Sequence, residues 1–198
     1  MIFTAHPRWL AWAAIAFVAV TSALRASVTP LPDDPACTAE DRKFMARAIE
    51  LAAAATAKGN SAYGAVLVKD GQILMEFSND ALTSRDVTHH AETGLISFAS
   101  RKFDKATLAA STLYTSTEPC IMCCGSIRNA GIKKFVYGVT AIQVSALRGR
   151  SALPNPLQCR EVYTRMGATD VTILGPLLEA EGLAVHAVAF SKAPVPKS

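Results

Sequence analysis

The sequence predicts an α/β protein: a three-layer α/β/α sandwich around one mixed five-stranded sheet. Two observations carry this. Short apolar runs of strand character alternate with longer helical stretches after an opening hairpin, the order that gives one sheet covered on both faces. The chain has 198 residues, 51% apolar and 18% charged, enough to bury a sizeable core in a single domain. The same composition excludes a disordered chain, a coiled coil and a collagen-like fibre. Five cysteines are too few for a disulfide scaffold and enough for a metal site. The net charge of +4 is mild and does not by itself argue for nucleic acid.

Each element has a local reason. Thr38 to Lys58 reads as the first helix. Thr38 and Asp41 resemble a capping box with Asp in place of Glu or Gln, and Lys58-Gly59-Asn60 is a helix stop. Ala65 to Val68 and Gln72 to Phe77 read as two strands joined at Asp70-Gly71, a tight hairpin signal. His90 to Phe103 reads as the second helix. Thr112 to Ser116 is the third strand, followed by a helix from Cys120 to Ala130 and a fourth strand, Lys134 to Tyr137. Pro154 to Cys159 leads into a helix at Arg160 to Met166. Val171 to Leu174 is the fifth strand, and Leu177 to Phe190 is a last helix weakened by Gly182.

Residues 1–28 differ from the rest. His6 and Arg8 precede an uncharged run from Trp9 to Leu24, closed by Arg25. The run is shorter than the roughly 20 residues of a spanning helix. A basic start, an apolar stretch and then Thr21-Ser22-Ala23 fit a secretory signal. An uncleaved N-terminal anchor is the alternative. A signal places the protein in the periplasm or outside the cell; without one it is cytoplasmic. Residues 29–37, with three prolines in Thr29 to Pro35, read as a linker. The domain then runs over 38–190, with a tail at 191–198.

Two stretches carry chemistry: His89-His90-Ala91-Glu92 and Glu118-Pro119-Cys120-Ile121-Met122-Cys123. His90, Cys120 and Cys123 offer nitrogen and two sulfurs, a set that suits one tetrahedral zinc ion. Three protein ligands rather than four leave a position for water, the catalytic arrangement. Both groups fall at predicted helix starts, where the positive helix end favours thiolate. Pro119 suits the start of a helix because it has no N–H to lose there. Glu92 is not needed as a ligand. It is placed to take a proton from activated water and deliver it to a leaving nitrogen, so that hydroxide attacks an amidine-like carbon and ammonia departs. The combined pattern of His-x-Glu and Pro-Cys-x-x-Cys is the signature of zinc deaminases acting on nucleobases. Each half alone is weak, since a lone Cys-x-x-Cys also suits redox chemistry or a structural zinc site.

These motifs, with Tyr63 to Val68, Leu113 to Cys123 and Gly175 to Leu178, make the chain similar to the cytidine and deoxycytidylate deaminase superfamily. The resemblance spans Asp41 to Phe190. It is strongest to the branch of guanine deaminases, tRNA adenosine deaminases, fungal-type cytosine deaminase and related nucleoside deaminases. It implies the cytidine deaminase-like fold, one zinc per subunit and a homodimer. It also implies that Asn79 holds the substrate ring, that Ala91 contacts substrate, and that Glu118 does so through its backbone rather than its carboxylate.

The resemblance leaves several substrates. A purine such as guanine or guanosine leads, followed by adenosine in tRNA and by cytosine. Thr83 to Thr88 looks more like the guanine and nucleoside branch. Guanine deaminases of this type are expected to carry an aspartate after the cysteine helix, yet no acid lies between Glu118 and Glu161. That stretch holds Arg128, Lys133, Lys134, Arg148, Arg150 and Arg160, either a polyanion surface or a solvated face without acids. A zinc-stabilised module without turnover is a further alternative, but it has no use for Glu92. Cys124 and His186 read as packing residues, His89 as a loop residue, and Phe190 as a candidate to stack on a base. Whether Cys37 and Cys159 meet is open.

Overall fold

Side chains alternate strictly along the central strands, and each face of the sheet collects its own helices. The computed structural model describes residues 28–149 and 156–192; the signal or anchor segment, Arg150 and the tail beyond Lys192 lie outside the described residues. Strands β1 (Gly64–Lys69), β2 (Gln72–Ser78), β3 (Thr112–Thr117), β4 (Lys134–Val139) and β5 (Thr172–Leu174) form one sheet in the order β2-β1-β3-β4-β5. β1 pairs antiparallel with β2 and β3, whereas β3–β4 and β4–β5 are parallel. The sheet is therefore mixed and five-stranded, as expected.

Ala65, Leu67, Leu113, Phe135 and Tyr137 face one core. Over it lie α3 (Ala91–Lys102), α4 (Lys105–Ala109), α5 (Ile121–Ala130) and α7 (Cys159–Arg165). Val66, Val68, Tyr114 and Val136 face the other core, under α1 (Ala39–Ala57) and the residues leading into α8 (Glu179–Lys192). α6 (Ala141–Leu147) packs with α8 and Val139 in a third, smaller cluster. Cys37 belongs to the α1 side and Cys159 to the α3 side, and both are free thiols. Among the described residues no helix is long and apolar enough to cross a membrane.

The local signals act as read. Asp70 and Gly71 have φ of +50° and +72°, the left-handed pair that a two-residue hairpin demands. Gly64 has no substitute: a Cβ there would lie 2.3 Å from the Ala48 carbonyl oxygen, so α1 can press directly on β1. Three short helices were not expected, namely α2 (Ala81–Ser84), α4 and α6. The last two start at side-chain caps, Asp104 on Thr107 and Thr140 on Gln143, a signal too brief to stand out between longer periodic segments.

Residues 29–37 are pinned to the domain. Asp33 Oδ1 accepts from Leu178 N at 2.8 Å, and Asp34 Oδ2 accepts from Gly175 N at 3.0 Å. Leu31 N donates to Glu179 Oε2 at 2.5 Å. This stretch forms a strap across the entry to α8.

Asp41 joins three elements. It completes the capping box with Thr38, and its Oδ1 accepts from Tyr114 OH at 2.8 Å and Lys134 Nζ at 3.1 Å. Burial alone would raise its pKa, but the bonds from Thr38, Tyr114 and Lys134 hold it below the usual carboxylate value. Asp41→Ala leaves a buried hydroxyl and an ammonium unpaired. It should lower unfolding stability by about 2–4 kcal/mol at pH 7. Because the folded pKa is depressed, the difference from wild type should narrow as pH falls through 3.8 and below. Urea titrations at several pH values check both points.

Candidate active site

His90 is the N-cap of α3 and Cys120 the N-cap of α5. These two helix starts meet beside the C-terminal end of β3. Cys120 Sγ and Cys123 Sγ are 3.6 Å apart, and they lie 3.7 and 3.6 Å from His90 Nδ1. Zinc bonds of about 2.3 Å to sulfur and about 2.0 Å to nitrogen, set tetrahedrally, require S···S near 3.8 Å and S···N near 3.5 Å, roughly the spacing found. The triad therefore fits zinc in both donor chemistry and geometry, with Nδ1 as the histidine ligand atom.

The thiols are already polarised. Cys120 is drawn down to about 4, chiefly by its bond with Cys123 and then by His90. Cys123 is pushed up by the same sulfur pair and by burial. A metal ion among the three ligands draws both to thiolate. The Tyr63 ring stacks along His90 with centroids 6.4 Å apart. His89 braces the preceding loop: its Nδ1 is 3.0 Å from Asp80 Oδ1, and its ring meets Phe77 edge-on.

Glu92, in the first turn of α3, is buried beside the triad. Its Oε2 lies 3.4 Å from Cys123 Sγ, and its Oε1 accepts from Thr115 Oγ1 at 3.0 Å. Burial, first of all, pushes its carboxyl above the usual range.

A cavity of about 460 Å³ opens over these groups. Its wall includes Tyr63, His90, Glu92, Cys120 and Cys123. Residues not anticipated complete it, among them Val144 and Arg148 from α6 and its end, and Leu157. The Thr140-to-Gln143 cap was the one sequence signal for that helix. Arg148 Nη2 donates to Tyr63 OH at 2.8 Å, and its guanidinium lies over the Phe190 ring at 4.9 Å. Phe190 thus stacks on Arg148 and on His186 and is not part of the wall.

Of the three expected substrate contacts, Glu118 lies in the cavity wall and Asn79 and Ala91 do not. Glu118 lines the cavity, but its carboxylate faces the protein: Oε2 accepts from Ala141 N at 2.9 Å and Oε1 from Cys159 N at 2.7 Å. These are first-turn N–H groups of α6 and α7, which otherwise lack partners. Its own N–H donates to Val139 O. Asn79 is buried and does not line the cavity; its Oδ1 accepts from Ala81 N at 3.3 Å, and its N–H donates to Tyr63 O. Ala91 packs into the core beneath α3. Cys124 is a buried packing residue, as read.

The layered fold and the His–Cys–Cys triad define a zinc-dependent nucleobase or nucleoside deaminase of the cytidine deaminase-like class. Residues 38–139 match the cytidine and deoxycytidylate deaminase zinc-binding region, and the chain belongs to that family. A probable cytosine deaminase of Schizosaccharomyces pombe is 30% identical over 154 residues, 74% of this chain and 90% of that protein. A tRNA-specific adenosine deaminase of Haemophilus influenzae is 38% identical over 56% of this chain and 64% of its own length. A guanine deaminase of Bacillus subtilis is 42% identical over 48% of this chain and 61% of its own. The matches to these last two thus span less than two thirds of each relative. Among solved structures, one from work on A-to-I editing by tRNA:A34 deaminases superposes with TM-score 0.60 at 26% identity, covering 72% of this chain and 98% of that one. Guanine deaminase from Nitrosomonas europaea shares the fold, with TM-score 0.61 at 22% identity over 78% and 86%.

Cys123→Ala should lose bound zinc, whereas Cys37→Ala should keep one equivalent; metal analysis after dialysis distinguishes them. His186 is buried, its Nε2 is 2.9 Å from Thr117 Oγ1, and its Nδ1 has no partner among the described residues. Burial, then Arg148, lowers its pKa to about 4. The unfolded chain therefore takes up this proton first, and stability falls as pH drops from 6.5 towards 4. His186→Gln should remove on the order of 2–3 kcal/mol of that acid sensitivity, read from urea midpoints across the same window.

Proposed function

We propose that this chain hydrolytically deaminates a small nucleobase or nucleoside, with a purine such as guanosine or guanine first among the candidates. One observation carries the reading: a buried carboxylate, Glu92, reaches into the cavity with one oxygen beside the metal ligands. A metal site serving only to hold the fold has no use for it there. The cavity volume falls in the range of roughly 300–1,000 Å³ usual for small-molecule sites.

Bound zinc supplies a Lewis acid that brings the pKa of water to about 7. The chain's own residues do the rest. His90, Cys120 and Cys123 hold the metal. Glu92 takes a proton at Oε2 and passes it to the departing amino nitrogen. The ring carbon gains oxygen, its C–N bond breaks, and ammonia leaves. Tyr63, Val144 and Leu157 give the ring apolar walls.

The basic stretch supports a small substrate rather than a polyanion. Lys134 pairs with Asp41, Lys133 with Asp170 and Arg160 with Asp34. Each of these three is already paired with an acid, which leaves less free charge to meet a phosphate backbone. Export, if residues 1–28 direct it, also favours a free base or nucleoside. The wall acids are Glu92 and Glu118, and the second is committed to two helix starts. No spare carboxylate in the described wall meets the far edge of guanine, which leaves guanosine, another purine or pyrimidine compound, or a base bound in a different way.

The test is ammonia release by zinc-loaded protein from guanine, guanosine, adenine, adenosine, cytosine and cytidine, with an anticodon stem-loop as a separate arm. Glu92→Ala should keep zinc and folding and lose at least about 100-fold in turnover. Full activity in that variant would remove Glu92 from the mechanism. Release from the stem-loop alone would select the tRNA reading.

A further inference from the structure

Thr115 is a hydroxyl where the sheet pattern calls for an apolar residue. It lies on β3 between Ala65 of β1 and Tyr137 of β4, and it follows Leu113 on the face covered by α3 and α5. Leu113 and Tyr137 belong to that apolar core, and Thr115 is 1% exposed. A buried hydroxyl in such a place costs free energy unless it is bonded, so its partners show its use. Its Oγ1 lies 3.0 Å from Glu92 Oε1 and 3.0 Å from the Thr117 carbonyl oxygen. Both contacts lead to the cavity, since Glu92 and Thr117 line it.

The two oxygens of Glu92 are thereby made unequal. Oε1 is anchored to the middle strand of the sheet. Oε2 is turned to the ligand triad, 3.4 Å from Cys123 Sγ. A glutamate has three side-chain torsions, and the last of them is soft. The start of α3 fixes where the residue begins but not how the carboxylate is rotated. The bond from Thr115, beside the one from the backbone N–H of Glu92 itself, fixes that rotation from the sheet side.

We infer that Thr115 is a positioning residue: its hydroxyl holds Glu92 by Oε1 so that Oε2 alone faces the metal site. This rests on the proton-transfer role proposed above for Glu92. Thr115 touches neither metal ligands nor the cavity, so its effect passes through the carboxylate.

The experiment compares zinc-loaded wild type, Thr115→Val and Thr115→Ser. Valine keeps the shape and removes the hydroxyl; serine keeps the hydroxyl. With whichever base or nucleoside of the panel releases ammonia, Thr115→Val should lower kcat by about 10- to 100-fold, as misplacement of a proton carrier does. KM should stay within about threefold and zinc at one equivalent. Thr115→Ser should recover most of kcat. Equal kcat in Thr115→Val and wild type would overturn the inference, and so would a serine variant as impaired as the valine one. Crystal structures of the zinc-loaded wild type and Thr115→Val provide a readout apart from turnover. The carboxylate of Glu92 should rotate in the variant, and an unmoved carboxylate would overturn the inference. If wild type is silent on every substrate, the deamination reading fails, and the carboxylate position alone decides the role of Thr115.

Discussion

Three donor atoms 3.6–3.7 Å apart tolerate little displacement, and they come from two separate helices. The placement of those two helix starts is the constraint that the rest of the structure serves. β3 lies in the middle of the sheet, fixed by β1 on one side and β4 on the other. Its C-terminal end delivers Glu118, Pro119 and Cys120 directly into α5. α3 packs on the same core as α5, so His90 reaches the cysteines without spanning a flexible segment. The helix ends also supply the electrostatics, because their positive poles favour thiolates.

A second device recurs both beside the metal ligands and away from them. Asp41, Glu118 and Glu179 are buried carboxylates, and each is spent on the protein itself. Glu118 bridges the first turns of α6 and α7. Glu179 accepts from Thr140 N and Oγ1, both at 2.9 Å, as well as from Leu31. Asp41 binds α1 to β3 and β4. Loops and helix starts are rich in unpaired N–H donors, and a carboxylate can take several of them at once. Buried acids thus do for the loops what the hydrogen-bond ladder does for the strands.

The five strands, the long helices and the metal triad were legible because each has a periodic or spaced signature. The hairpin at Asp70-Gly71 needed two residues able to take positive φ, and the Pro-Cys-x-x-Cys stretch announced both a helix start and its ligands. What stayed hidden depended on long-range contact. α6 is seven residues long, too short for periodicity, so the part of the cavity built by Val144 and Arg148 was not seen. Glu118 was read as a substrate neighbour through its backbone, and it does line the cavity; what its sequence place beside Cys120 did not reveal is that its carboxylate is claimed by N–H groups 23 and 41 positions away. Asn79 sits where the resemblance puts a ring-binding amide, while its oxygen accepts from the N–H of Ala81, the first residue of the unexpected α2. The proline-rich stretch read as a linker from composition, and composition carries no record of Asp33 and Asp34 finding Leu178 and Gly175.

That strap changes where the folding unit begins. The first helix starts at Ala39, and a reader of secondary structure would trim the chain there. Such a cut removes the acceptors for the N–H groups of Gly175 and Leu178 and one bond to Glu179. It also strips Val28 from the cluster shared by α6 and α8, and α6 supplies Val144 to the cavity wall. The autonomous module is longer than its helices and strands, and any fusion joint or processing point compatible with an intact site belongs upstream of residue 28.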